Sequence, residues 1–164
     1  MTNRLLFTII ALLFCSLAMF AAPPKKKPEP PKHILAVDTP NDWLTDLAAA
    51  EAQAKSTGMP MLILFTCSDA DPASIKLRTT VIDKGMFKKL IAPRAAKLYV
   101  DFPRKRKLQP QELKANNQLK AKYKVTQFPT TVVLGGKGKK EGQEIMRIVG
   151  VPGDFVRRLQ RVIR

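Results

Sequence analysis

The sequence contains few of the residues on which thiol and metal chemistry depend. Among its 164 residues there are two cysteines and one histidine. A site with the usual spacing of zinc ligands cannot be drawn from so few ligands, and a Cys–His catalytic pair would need His33 to fold back from a proline-rich segment. We therefore expect no metal site and no cofactor.

One of the two cysteines, Cys15, lies in an N-terminal segment with the features of a secretory signal. Arg4 supplies a positive charge, Leu5–Phe14 is an almost unbroken apolar run, and small residues follow it. The pattern predicts a signal peptide over residues 1–22. The alternative is an uncleaved membrane anchor formed by residues 5–22, which are nearly numerous enough to cross a bilayer.

Cleavage would leave Cys67 as the single cysteine of the mature chain, which excludes an internal disulfide. One interpretation is a small, partly buried thiol that fills space. The other is a redox monothiol that forms a mixed disulfide with a partner and cannot by itself release it. We favour the buried thiol, because free thiols of exported proteins are usually hidden or paired.

Acidic residues are also scarce, with 13 Asp and Glu against 29 Lys and Arg, so the net charge is +16. Such a charge favours anionic partners, and an export signal places an anionic membrane surface or polysaccharide ahead of nucleic acid. Little aromatic interleaving also argues against single-stranded nucleic acid. The basic patch Arg104, Lys105, Arg106 and Lys107 is either a solvated loop or a contact to such a surface. It could form one basic face with Lys114, Lys120, Lys122 and Lys124.

No long apolar run follows the leader; short runs separated by turns take its place. Residues 23–40 mix prolines and lysines and predict a disordered linker, which leaves a domain at 41–164. Met61–Phe65 and Ala95–Phe102 predict buried strands. Thr130–Leu134 and Glu144–Val149 predict a hairpin.

Helices are predicted between these strands. The first would be capped by Asn41 or Asp42, begin at Trp43 and end at Gly58, with Leu47, Ala50 and Ala54 on the face of Trp43. The second would be capped by Ser68 or Asp69, with Ile75, Val81 and Ile82 as its apolar residues and Met86, Phe87, Leu90 and Ile91 continuing the pattern. A third covers Lys114–Val125, and a last begins at Pro152. The order predicts an α/β fold with a central mixed β-sheet flanked by helices on both faces.

This order resembles the thioredoxin fold, and two stretches carry the resemblance. Leu119–Lys139 (LKAKYKVTQFPTTVVLGGKGK) is similar to the family's helix, Y-x-V turn, x-P-T loop and hairpin. Pro129, between Phe128 and Thr130, stands at the family's cis-proline position. Met59–Leu77 resembles the corner of a secreted thioredoxin-like subgroup, which suggests a bacterial source.

The corner departs from that subgroup where its chemistry would be. Asp71 and Ser74 stand at the positions of the C-x-x-C cysteines, Cys67 replaces a glycine and Ala70 a tryptophan. Neither a carboxylate nor a hydroxyl can exchange with a disulfide. We interpret Asp71 as a helix cap rather than as an acid–base partner of Asp69, because no catalytic partner lies nearby in the sequence.

The resemblance therefore implies an exported, periplasmic or extracellular module that is redox-inactive and not a dithiol enzyme. In the family an extended peptide lies across the groove beside the cis proline. The expected partner is an extended or unfolded protein segment in the cell envelope. The expected binding residues are Phe128, Pro129 and Thr130 in the loop and Asp69, Ala70 and Pro72 in the corner. The alternatives are a monothiol redox protein that uses Cys67 and a basic protein that binds anionic surfaces.

Overall fold

A four-stranded mixed sheet forms the centre of the domain. The computed structural model describes residues 39–40, 42–135, 143–147 and 152–163, with the backbone alone for 143–147 and 152. The predicted signal peptide and most of the predicted linker lie outside the described residues. The strands are β1 (Met61–Thr66), β2 (Ala96–Asp101), β3 (Thr130–Leu134) and β4 (Gln143–Arg147), in the sheet order β2-β1-β3-β4. β1 and β2 are parallel, and β3 runs antiparallel to both β1 and β4.

Helices connect the strands. They are α1 (Leu47–Thr57), α2 (Pro72–Leu77), α3 (Gly85–Leu90), α4 (Pro110–Lys122) and α5 (Pro152–Val162). A π-helical turn (Arg78–Ile82) separates α2 from α3, and a 3-10 turn (Ala92–Arg94) leads into β2. The predicted second helix is therefore a series of short helical pieces, whereas α5 begins at Pro152 as predicted.

The buried side chains divide into two clusters, one on each face of the sheet. Every residue of β1 is buried, and successive side chains point to opposite faces, which explains its continuous apolar run. Ile63 and Phe65 join the cluster that contains residues of α1 and α4. Leu62 and Leu64 join the cluster that contains residues of α3 and α5. The predicted α/β arrangement with helices on both faces is confirmed.

The start of α1 differs from the prediction. Asp46, not Asn41 or Asp42, caps the helix, since its carboxylate accepts a hydrogen bond from the N–H of Ala49 at 2.7 Å. The preceding segment is extended instead: the Leu44 N–H donates to the carbonyl of Lys97, and the Tyr99 N–H donates to the carbonyl of Leu44. Pairing with β2 thus satisfies this backbone, and helix formation is delayed by one turn.

Trp43 consequently does not share a face with the helix residues. It stacks on Phe87, with ring centroids 6.1 Å apart, in the cluster opposite to the one that contains Ala50. The predicted stripe is wrong for Trp43, which lies before the helix and packs across the other face of the sheet, whereas Leu47, Ala50 and Ala54 pack in one cluster as predicted. Gly58 ends α1 in the left-handed conformation with φ 66°, as predicted.

Two predicted apolar positions are on the surface. Ile75 is 41% exposed and Met86 is 54% exposed, whereas Val81, Ile82 and Phe87 are buried as expected. The short helices turn only one narrow face to the sheet, so not every apolar residue in them is covered. The third predicted helix also begins earlier, at Pro110.

Candidate functional site

Three loops emerge at one edge of the sheet. In the register of the strands, Thr66 at the end of β1 lies opposite Asp101 at the end of β2, and Phe65 lies opposite Thr130 at the start of β3. The corner after β1, the loop at 102–109 after β2 and the loop at 126–129 before β3 therefore leave the sheet at the same edge. This is where the predicted corner and cis-proline residues lie.

Asp71 and Ser74 are hydrogen-bonded to each other in the corner. Asp71 is the N-cap of α2, and its Oδ2 accepts from both the backbone N–H and the hydroxyl of Ser74, at 2.7 Å each. The buried Ser74 Oγ in turn accepts from the N–H of Cys67 at 3.2 Å. The prediction that Asp71 caps the helix is confirmed, and the prediction of a cap at Ser68 or Asp69 is wrong. Pro72 suits the first helical position, because proline has no backbone N–H and a donor at that position would have no acceptor within the helix.

Cys67 is inside the protein. It follows β1 directly, is only 1% exposed, and carries a free thiol whose sulfur lies 4.0 Å from Oδ1 of Asp69. Thiol–disulfide exchange needs an accessible thiolate, and burial hinders the approach of a partner disulfide. The position of Cys67 therefore agrees with the expectation of a buried, space-filling thiol.

Asp69 fastens the loop at 102–109 to the corner. Its two carboxylate oxygens accept from the backbone N–H groups of Arg104 at 2.8 Å and of Lys105 at 2.7 Å. Burial raises the pKa of Asp69, but the backbone N–H groups of Arg104, Lys105 and Arg106 and of Asp69 itself outweigh that effect, so the pKa lies below its ordinary value. Asp69 is thus a cross-link between loops, which explains why it does not cap α2.

Asp101 organises the same edge, although the sequence pattern does not single it out. It is 3% exposed, and its carboxylate accepts from the N–H of Ser68 at 2.9 Å, from the hydroxyl of Ser68 at 2.6 Å and from Arg106 Nη2 at 2.9 Å. Its carbonyl accepts from Asn116 of α4 at 2.9 Å. The signal that the sequence does offer for Asp101 is a single carboxylate at the end of an apolar strand. A charge in such a buried position needs hydrogen-bonding or ionic partners.

The predicted basic patch has two kinds of members. Arg106 is half-buried and forms an ion pair with Asp101, so it belongs to the structure of the edge. Arg104, Lys105 and Lys107 are exposed. Arg106 is therefore neither simply solvated nor free to contact an anionic surface as the patch was predicted to be, because it is paired with the buried carboxylate of Asp101.

The loop before β3 contains a cis peptide bond between Phe128 and Pro129, as the resemblance implied. Pro129 and Thr130 are buried, and the Thr130 hydroxyl donates to the carbonyl of Gln127 at 2.7 Å. A binding contact from the Thr130 side chain is therefore not available, because that side chain closes the loop internally. Phe128 remains half-buried.

An aromatic pair with a lysine beside it completes this edge. Phe128 stacks on Phe102, with centroids 5.0 Å apart and planes 24° from parallel. The Lys120 Nζ lies 5.6 Å from the centroid of Phe102 and 5.4 Å from that of Phe128. The sequence places Lys120 among basic surface residues only, since nothing in its spacing indicates that Phe102 and Phe128 meet beneath it.

The other predicted corner residues lie around this edge. Asp69 and Ala70 are half-buried and Pro72 is exposed. Within the described residues, no group of three His, Cys, Asp or Glu side chains is placed to hold a metal ion. None of the helices described combines the length and the hydropathy needed to cross a bilayer.

Comparison with known sequences places this architecture among thiol–disulfide proteins. The chain is 32% identical over 93 residues to the disulfide bond reductase DsbH of Chlamydia pneumoniae, which covers 57% of this chain and 56% of that protein. It is 26% identical over 106 residues to the thioredoxin-related protein DsbJ of the same organism, covering 65% and 29%. The chain thus spans about half, or less, of the length of these relatives. No family model matches.

Solved structures support the same placement. A DsbH oxidoreductase superposes with a TM-score of 0.64 at 26% identity, over 80% of this chain and 91% of that one. The chain belongs to the thioredoxin-like superfamily. A thioredoxin from Thermus thermophilus, at 19% identity and a TM-score of 0.50 over 71% of this chain and 82% of that one, has the same fold. Within this superfamily the chain is related to thiol–disulfide proteins, yet it has Asp71 and Ser74 in the corner where a C-x-x-C pair is expected.

Proposed function

We propose that this protein is a redox-inactive thioredoxin-like module that binds an extended segment of another polypeptide at the edge formed by the corner and the cis-proline loop. The observation that carries the proposal is the hydrogen bond between Asp71 and Ser74 beside a retained cis Phe128–Pro129 bond. A carboxylate and a hydroxyl have no redox chemistry, so the dithiol cycle of attack and resolution has no residues to perform it.

Backbone hydrogen-bonding groups next to the cis proline support peptide binding. Among the described residues, neither the N–H nor the C=O of Phe128 forms a backbone hydrogen bond. An extended peptide can pair with such groups as a short additional strand, and this pairing does not involve cysteines. Ile75, exposed on α2 after the corner, and the half-buried ring of Phe128 offer apolar contacts for side chains of the peptide.

The proposed compartment follows from the leader. A signal peptide at residues 1–22 would export the domain to the periplasm or the cell exterior, where extended or unfolded segments of envelope proteins are the available partners. An anchor at residues 5–22 would hold the same domain at the membrane surface.

Two measurements on the mature chain test the proposal together. In an insulin reduction assay with dithiothreitol as the electron source, we expect no turnover above that of a Cys67→Ser variant. In a calorimetric titration with a reduced and alkylated unfolded protein, we expect binding that Phe128→Ala weakens and that Met86→Ala, a substitution of an exposed side chain on α3, leaves unchanged. Measurable insulin turnover, or a failure of the unfolded protein to bind, would contradict the proposal.

The second candidate is a monothiol redox protein, which the similarity of this chain to a disulfide bond reductase favours. In this chain the thiol in question would be Cys67, which is 1% exposed. The discriminating measurement is the alkylation rate of Cys67 in the native protein and in urea. Equal rates would support the monothiol, and a native rate lower by orders of magnitude would remove it.

A further inference from the structure

We propose that the bound segment is acidic, and that Lys120, held over the stacked rings of Phe102 and Phe128, receives one of its carboxylates. The inference rests on the proposed function, because it names the chemistry of the polypeptide that would occupy the same edge. It is carried by three features: the position of Lys120, the hydrogen bonding of the acidic groups around it, and the ring pair beneath it.

Lys120 is held in place without an acidic partner. Its ammonium lies within 6 Å of two ring centroids, a geometry in which the ring faces attract the cation. In the described part of the chain no carboxylate forms an ion pair with it. The one acidic residue of α4, Glu112, is eight positions away, roughly 12 Å along the helix axis. The charge of Lys120 is therefore available to a ligand.

The acidic groups at this edge are hydrogen-bonded within the protein. Asp69, Asp71 and Asp101 each accept at least two hydrogen bonds from neighbouring backbone or side-chain groups, which compensate part of their negative charge. The exposed charges of the adjoining loop belong to Arg104 and Lys105 and to Lys107. The surface around Lys120 thus presents positive charge, and complementary charge on a ligand would steer its approach and set its register.

The rings determine which kind of anion fits. Phe102 and Phe128 are half-buried and stacked on each other, so they form a compact apolar contact beside Lys120 rather than side chains that protrude from the surface. Membrane-binding surfaces commonly add apolar side chains that insert between lipids to the attraction of basic residues for anionic headgroups. A half-buried ring pair with one cation beside it better suits an extended segment in which a carboxylate lies next to an apolar or aromatic residue, with the backbone pairing at Phe128.

The test compares three unstructured synthetic peptides of equal length that contain phenylalanine. They differ only in whether glutamate, glutamine or lysine alternates with the apolar residues. Isothermal titration into the mature protein should show that the glutamate peptide binds roughly tenfold more tightly than the glutamine peptide at low salt, and that the lysine peptide binds more weakly than either. Moderate salt should reduce the difference.

Variants assign the preference to Lys120. Lys120→Gln should remove most of the preference for glutamate and leave binding of the glutamine peptide nearly unchanged, while Lys120→Arg should retain it. The control is Lys55→Gln, an exposed lysine in the last turn of α1, just before the chain enters the opposite end of β1. Circular dichroism and a thermal melt of each variant establish that it is folded.

The outcomes separate this inference from the proposed function. Equal binding of the glutamate and glutamine peptides, or a preference that survives Lys120→Gln, would overturn the acidic-segment proposal while the peptide-binding function stands. Failure of all three peptides to bind would overturn both. Binding of anionic phospholipid vesicles that depends on Lys120, without charge preference among the peptides, would assign the site to a membrane surface instead.

Discussion

The corner after β1 and the loop before β3 meet at the same edge of the sheet but have changed in different ways. The corner has Asp71 and Ser74 where the family resemblance expects cysteines, whereas the loop retains the cis peptide at Pro129. One region lacks the reactive groups that the resemblance implies, and the other has the backbone geometry that it implies. The proposed function accordingly separates the two regions, with no chemistry in the corner and backbone pairing at the loop.

The two regions also differ in how they are held. The corner is cross-linked by carboxylates, with Asp69 bonded to the loop at 102–109 and Asp101 bonded to Ser68 and Arg106. In the cis-proline loop the Thr130 hydroxyl bonds to the carbonyl of Gln127, and Phe128 packs on Phe102. We therefore expect substitutions in the corner to act on stability and substitutions in the loop to act on binding.

The strongest test of this contrast restores the cysteines. The double substitution Asp71→Cys with Ser74→Cys, made in a Cys67→Ser background so that Cys67 adds no third thiol, places two thiols three positions apart at the N-terminus of α2, where a thiolate is favoured. We expect an internal disulfide under oxidising conditions and a change in the insulin assay from no turnover to clear turnover. Either single substitution is the control, since one thiol cannot complete the cycle.

A double variant that folds, contains two free thiols by titration and still fails to form a disulfide would contradict this prediction. It would mean that the corner does not place positions 71 and 74 as the thioredoxin-like family places its two cysteines. The corner would then differ from the family in its backbone as well as in its residues.

The largest effect on stability should come from Asp101. Asp101→Ala removes the carboxylate that accepts from Arg106 and from both donors of Ser68 in a partly buried setting, which should cost about 3 kcal/mol of unfolding free energy. The loss of unfolding free energy is measured by urea unfolding, with circular dichroism as the signal. The control is Asp83→Ala, where the ion pair with Arg78 is on the surface and should contribute less than about 1 kcal/mol. Equal losses in the two variants would contradict a special role for Asp101.

Removal of the helix cap should have a smaller effect. Asp71→Ala deletes the acceptor of the Ser74 N–H and hydroxyl, and the expected loss is about 1–2 kcal/mol. Asp71→Asn should recover part of this loss, because an amide oxygen can still accept from the N–H of the first turn. The same urea titration applies, and an unchanged midpoint in Asp71→Ala would argue against the cap.

The smallest effect should be the pH dependence due to Asp69. Its pKa is lowered in the folded protein by backbone N–H donors that outweigh burial, so its stabilising contribution is complete above the ordinary pKa of aspartate and is lost as pH falls through the lower folded value. The difference in unfolding free energy between the wild type and Asp69→Asn should therefore be larger at neutral pH than below about pH 3. A difference that does not vary with pH would contradict this assignment.

Much of the fold could be predicted because its signals are local. Met61–Phe65 is a continuous apolar run of the length typical of a strand buried on both faces, and Pro152 marks the start of α5. The start of α1 could not be predicted, because Leu44 obtains its hydrogen bonds from β2, more than fifty residues further along the chain. Tertiary pairing overrides a local capping pattern in such a case.

The site could be predicted only where residue types match a motif. Pro129 and the positions of Asp71 and Ser74 follow from the resemblance, whereas the partners of Asp69 and Asp101 depend on the meeting of loops that are distant in sequence. The stacking of Phe102 on Phe128 belongs to the same class. Long-range contacts of this kind leave no periodicity in the sequence, so only the folded chain reveals them.

The hydrogen bond between Asp71 and Ser74 has one further consequence. A cysteine pair has an oxidised and a reduced form, and the electron supply of the compartment decides which one is present. The Asp71–Ser74 pair has a single form, so the shape of this corner is independent of that supply. A polypeptide bound here would have the same affinity in oxidising and reducing surroundings. It would leave by dissociation alone, at a rate set by its contacts and not by the redox potential of the compartment.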